Sequence, residues 1–185
     1  MTDSKLCFPR LLVLALPLAL LLLTGAGVSP AQAQVGSWGY SGHVGVLGGT
    51  VDGSAFALGF TPEYYLAPAF SVGGDFVLSP TGDLTLLSGA ATARWHFSAD
   101  KIEITPFIGL GLVYADFDRG GGTHRFNEDD FSYVIPLGIQ VDHAFKENLS
   151  VGGTFALNLT GLDFGGPVGS DESYTSFFVT LRYRP

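Results

Sequence analysis

Phe70-Ser-Val-Gly-Gly-Asp-Phe-Val-Leu78 decides the fold. Phe70, Val72, Phe76 and Leu78 stand at alternate positions, with Ser71, Gly73 and Asp75 between them. Successive side chains of an extended strand point to opposite faces, so a strand sorts these residues into one bulky apolar face and one small or polar face. A helix does not separate them. Working outward from this stretch, which sits in a strand expected near 69–79, the same period of two marks strands near 37–48, 54–66, 85–97, 102–115, 131–145, 149–160 and 173–184. Each is long enough to cross a bilayer, which a tilted strand does in ~9–11 residues.

The bulky face is consistent from strand to strand. It carries Trp38, Tyr40, Val44 and Val46, then Phe56, Leu58, Phe60 and Tyr64, then Ile108, Leu110, Leu112 and Tyr114, and later Leu149, Val151, Phe155, Leu157 and Leu159. The opposite face holds Gly39, Ser41, His43 and Gly45, Ala57, Gly59 and Thr61, Ser88, Ala90, Thr92 and Arg94, and Ser150, Gly152, Thr154 and Asn158. A soluble ligand-binding barrel reverses this arrangement, turning its apolar residues inward and its charges to water. The pattern therefore predicts an all-β, eight-stranded antiparallel up-and-down transmembrane barrel. The fourth strand is the exception, because Leu84, Leu86 and Leu87 do not share a phase.

The connections alternate. Residues 67–68, 98–101 and 146–148 are compact turn material, whereas 49–53, 79–84, 116–130 and 161–172 form a longer set. Tight periplasmic turns and longer external loops are the habit of outer-membrane barrels, and an even strand number leaves both termini on the periplasmic side. With strands so directed, outward-facing Trp38, Tyr40, Tyr64, Phe70, Trp95, Phe97, Phe145 and Tyr183 gather near the periplasmic interface, where amphipathic rings are favoured. Phe56, Phe76, Tyr114 and Tyr133 are expected to form the outer girdle.

Ahead of the first strand stand Lys5 and Arg10, an apolar run from Leu11 to Leu23, and Ala31-Gln32-Ala33. This order of charged, apolar and small residues is a secretory signal, too short in its apolar part for the ~20 residues of a spanning helix. The expected division is a cleaved signal peptide over 1–33 and a barrel domain over 34–185, exported to the outer membrane of a Gram-negative cell. The single cysteine, Cys7, leaves with the signal, so no disulfide is expected. The chain carries a formal net charge of −8, and cleavage makes it more negative still, which speaks against nucleic acid as a partner.

The inward phase places Glu63, Arg94, His96, Glu103, Asp142 and Arg182 in the periplasmic half of the lumen. Opposite charges confined there are expected to pair, since an isolated buried charge is costly. A second acidic group lies in 116–130, where five carboxylates accompany His124. Asp116 and Asp118 have calcium-loop spacing, but Asn127 stands where the twelfth-position carboxylate belongs, so a solvated external loop is the expectation. Asn148-Leu-Ser150 and Asn158-Leu-Thr160 match the glycosylation pattern only by chance, given their places at a turn and inside the barrel.

Thr105-Pro-Phe-Ile-Gly-Leu-Gly-Leu-Val-Tyr114, the hairpin from Gly138 through Asp142 and Leu149 to Gly152, and Phe178-Val-Thr-Leu-Arg-Tyr-Arg184 carry a resemblance. They are similar to the small eight-stranded outer-membrane barrel domains that include the outer-membrane protein A barrel, the outer-membrane protein W group and the opacity-type surface proteins. Pro185 departs from that pattern, standing where the family usually ends on an aromatic residue. The resemblance implies a non-enzymatic surface or structural protein with exposed loops, and the protein W group implies a narrow passive channel as the alternative. A more remote alternative is a lipid A-modifying enzyme, because His96-Phe97-Ser98 resembles the His-x-Ser element of lipid A deacylases. No acidic residue follows at that group's spacing. No catalytic, cofactor-binding or metal-ligating residue is assigned and no cofactor is expected. The partners implied are outer-membrane lipids and lipopolysaccharide, with the barrel-assembly machinery during biogenesis, for a monomeric protein.

Overall fold

A computed structural model describes residues 29–30, 35–50, 53–81, 84–120, 125–163 and 170–184. Eight long strands build the wall: β1 (Trp38–Thr50), β2 (Gly53–Ala67), β3 (Phe70–Thr81), β4 (Leu84–Trp95, resuming as Phe97–Ala99), β5 (Ile102–Gly120), β6 (Arg125–Lys146), β7 (Leu149–Asp163) and β8 (Ser170–Tyr183). Each pairs antiparallel with its neighbours in sequence, and β8 closes onto β1 with Val179 opposite Val44. Closure satisfies both edges of every strand, which removes the unpaired backbone that an open sheet would present. A two-residue strand, Ser29–Pro30, pairs with the Phe97–Ala99 segment. The remainder of the expected signal region lies outside the described residues.

Side chains alternate as the period of two requires. Trp38, Val44, Phe56, Leu58, Phe76, Leu110, Leu112, Phe155 and Leu181 are exposed on the outside. Ser41, Thr61, Ser88, Thr92, Thr154 and Asn158 are buried inside. The irregular fourth strand is regular after all: Leu86 is 1% exposed and faces the lumen, while Leu87 is 52% exposed and faces out. Leu86 is inward because the half of the lumen away from the tight turns is apolar, built from Leu47, Ala57, Leu86, Val113, Val134 and Phe178 among others. The small or polar interior expected from the sequence holds for the other half, apart from Phe107 beneath Arg94.

The ends of the strands also differ from expectation. Residues 116–120 and 125–130 are strand rather than loop, since β5 and β6 run to Gly120 and from Arg125, with Asp116 opposite Asp129. β7 and β8 likewise extend to Asp163 and from Ser170. Polar sequence signals a loop only where the backbone must find water for its hydrogen bonds, and a hairpin rising past a barrel rim satisfies its own ladder. The connections at 51–52 and 82–83 are as short as those at the opposite end, with Thr50 opposite Gly53 and Thr81 opposite Leu84. Gly49 and Gly53 take φ of 81° and 90° there, a conformation glycine adopts without steric cost.

The aromatic residues of the turn end pack against one another on the outer face. Trp38 meets Tyr64 at 5.2 Å between ring centroids, and Phe70 meets Trp95 at 5.4 Å.

Candidate functional site

The alternation that turns bulky residues outward leaves six charged residues no direction but inward, at the turn end of the lumen. Arg182, wholly buried on β8, lies at the centre. Its Nη1 is 2.5 Å from Glu103 Oε1 on β5 and 3.0 Å from Asp142 Oδ2 on β6, and its Nε is 3.3 Å from Glu63 Oε1 on β2. One guanidinium thus reaches three other strands. His96 sits between two of the same carboxylates, with Nδ1 3.0 Å from Glu103 and Nε2 3.7 Å from Glu63. Arg94 stands apart, 2.6 Å from Asp75 on β3 and stacked over the Phe107 ring at 4.4 Å. Gln140 links the two groups: its carbonyl accepts from Arg94 at 3.3 Å and its amide donates to Asp142 at 2.9 Å.

Asp75, Gln140, Tyr65 and Arg184 belong to this layer and were not singled out from the sequence. Tyr65 donates to Glu63 at 2.9 Å, and Arg184 lies 2.6 Å from Glu103. Their signal was the same alternation, because Tyr65 follows Glu63 by two, Gln140 precedes Asp142 by two and Arg184 follows Arg182 by two. Asp75 is in phase with Ser71 in the stretch that revealed the fold. It also accepts the Thr61 hydroxyl.

Chemically the layer is a network of opposite charges. Four carboxylates face three guanidiniums and an imidazole, and the charged groups are held by one another and by hydroxyls, with Arg182 Nη2 left without a hydrogen-bond partner. Above it lies a cavity of about 40 Å³ bordered by His43, Thr61, Asp75 and Arg94 on one side and Val134 and Phe178 on the other. That volume accommodates no more than a few water molecules, given ~10–15 Å³ for each. The apolar cluster of the other half follows directly.

One arrangement resembles a nucleophile with its base. Ser71 Oγ is 2.8 Å from His96 Nε2, and Glu103, the cross-strand neighbour of Ser98, supplies the carboxylate that the sequence spacing did not reveal. The Ser71 hydroxyl also reaches Glu63 at 3.0 Å, so the carboxylate competes with the imidazole for its proton. Ser71 is also 0% exposed, leaving an acyl group no route to it. Ser98 donates to Glu103 at 3.2 Å rather than to His96. A working triad needs a nucleophile that its substrate can reach. Among the described residues no group of His, Cys, Asp and Glu is arranged to hold a metal ion. The side chains of 117–129, where the acidic hairpin tip falls, lie outside those described.

No protein-family model and no curated protein matches the chain by sequence. Solved structures do match. Neisserial surface protein A superposes with a TM-score of 0.57 at 19% identity, over 80% of this chain and 96% of that one. The N-terminal β-barrel domain of Pseudomonas aeruginosa OprF gives 0.53 at 13% identity, over 81% and 100%. Ail, the attachment invasion locus protein of Yersinia pestis, gives 0.52 at 14%, over 82% and 99%. At such identities the likeness is one of fold, and the fold is that of the small eight-stranded outer-membrane barrels.

Proposed function

We propose that this chain is an integral protein of a Gram-negative outer membrane, in which a closed and filled barrel serves as a non-enzymatic, non-conducting anchor for hairpins on the cell surface. The observation that carries this reading is the lumen, closed in series by the Arg182 ion-pair layer and by the apolar cluster around Leu47, Leu86 and Val113. Eight strands generally enclose only enough space for side chains, and here the side chains occupy it. Outside, exposed Val44, Leu58, Leu110, Ile139 and Val179 present hydrocarbon around the whole wall, which is stable against lipid and not against water. The β5–β6 ribbon, extending to Gly120 and Arg125, is then the most prominent surface element.

Lipids and lipopolysaccharide are its surroundings in this reading, the barrel-assembly machinery its partner during biogenesis, and the monomer its working state. The buried Ser71 supports a role without catalysis, and the two-layer lumen supports an anchor over a passive conduit. Planar-bilayer recording of the purified protein tests the proposal: the current trace is expected to stay flat, and reproducible unitary steps would replace the anchor with a channel.

A further inference from the structure

We propose that the apolar wall falls short along its closing seam, so that the polar lipid headgroups of the leaflet at the hairpin end descend beside β8, β1 and β2 and the bilayer is locally thin there. The inference rests on the membrane reading above. A strand residue climbs a barrel wall by about 2.5 Å, a rise of ~3.3 Å per residue inclined at ~40°. On β5 the outward apolar residues run from Ile102 to Tyr114, twelve steps or about 30 Å, and on β6 from Val141 to Phe131, ten steps or about 25 Å. On β8 they run only from Tyr183 to Phe177, six steps or about 15 Å, and on β1 from Trp38 to Val46, eight steps or about 20 Å. The apolar band of an outer-membrane barrel is about 25 Å tall. β5 and β6 meet that height, and β8 and β1 do not.

The shortfall lies at the hairpin end. Tyr183 and Trp38 belong to the turn end, where the Arg184 amide donates to the Asn148 carbonyl at 2.9 Å and Trp38 packs on Tyr64. Past Phe177 the next outward residues of β8 are Thr175 and Ser173, and past Val46 the next of β1 is Gly48. Thr175 stands opposite Gly48, and Gly48 opposite Ser54, so three neighbouring strands share one row almost bare of hydrocarbon. Gly48 is ten steps from Trp38, and ten steps from Ile104 on the far wall the corresponding row is Leu87, Tyr114 and Phe131, which are 52%, 38% and 63% exposed. The Thr175 hydroxyl donates to the Gly48 carbonyl at 3.1 Å, which lets that one side chain face lipid at low cost. Ser54 and Ser173, on either side, carry the polarity beyond it. Tilting the barrel does not correct the mismatch, because Trp38, Tyr40 and Tyr183 anchor the same strands at the opposite interface and a tilt that raised the seam would lift them out of it. The bilayer is the softer partner, and it meets a short apolar span by thinning.

Nitroxide labels on the outer face read the depth of the headgroup boundary. In a Cys7→Ser chain, Thr175→Cys and Leu112→Cys each stand eight steps above the turn end, counted from Tyr183 and from Ile104. The labelled proteins are reconstituted in palmitoyl-oleoyl phosphatidylcholine vesicles, and collisions with oxygen, which concentrates in hydrocarbon, are compared with collisions with a polar nickel chelate. The oxygen-to-nickel ratio is expected to be several-fold lower at Thr175 than at Leu112. Equal ratios overturn the proposal. Labels introduced by Leu110→Cys and Val179→Cys, nearer the middle of the wall, separate that failure from failure of the membrane reading. Both are expected to be shielded from nickel, and access at both would mean that water bathes the wall, so that the two readings fall together. Should Thr175→Cys not fold, Ser54→Cys is compared with Tyr114→Cys on the same criterion: a lower ratio at Ser54 supports local thinning, and equal ratios refute it.

Discussion

The Arg182 guanidinium on the last strand lies 2.5 Å from the Glu103 carboxylate, three strands away around the wall. Both side chains are buried, so the contact is a strut across the lumen and not a surface ion pair. Removing the cation alone leaves Glu63, Glu103 and Asp142 facing one another in a closed space. Arg182→Ala is expected to lower folding stability by about 3–5 kcal/mol, the usual cost of breaking a buried pair from one side. Urea titration in detergent, followed by the gel shift between folded and unfolded barrel, measures it. An unaltered midpoint means the layer adds no stability.

Arg94 and Asp75, 2.6 Å apart, form the second centre of the layer. Their coupling is separable from general packing by a double-substitution cycle with Arg94→Gln and Asp75→Asn. Residues that share a direct charged contact couple by about 0.5–3 kcal/mol, and this largely buried pair is expected in the upper part of that range. Additive effects would mean that Arg94 acts through Phe107 and Gln140 instead.

Leu110 distinguishes lipid from water around the wall. It is 65% exposed, so on a soluble barrel Leu110→Arg would change stability by no more than about 0.5 kcal/mol. Against hydrocarbon the same change costs about 2–4 kcal/mol near the bilayer midplane. Unfolding measured in lipid vesicles is expected to show the larger loss.

Processing gives an independent check on export. Protein recovered from the cell envelope is expected to begin at Gln34, by intact-mass measurement. A mass that retains Met1 or Leu11 would contradict cleavage and place the apolar run in the finished protein.

Most of the wall was legible because a barrel strand has only two faces. In Phe70–Thr81 and its counterparts, one lipid-compatible face and one confined face leave an unmistakable period of two, and the six charged residues share its inward phase. The hairpin extensions were illegible for a related reason. Beyond the rim both faces of a ribbon are free of lipid, so Asp116 and Asp129 can pair across β5 and β6 without any alternation to mark them. Leu86 was ambiguous because an apolar residue suits both the outer wall and this barrel's apolar half-lumen.

Outside the start of the fourth strand and the hairpin extensions, the sequence by itself determined which way the strand side chains point, since alternation is a local property of extended backbone. Only the tertiary structure decided who meets whom. Arg182 joins Glu63, Glu103 and Asp142, and Asp75 joins Arg94, because strand register and closure bring separate walls to the same depth in the lumen. Depth is set by the stagger accumulated around the whole ring, a quantity to which every strand contributes and which no single stretch of residues encodes.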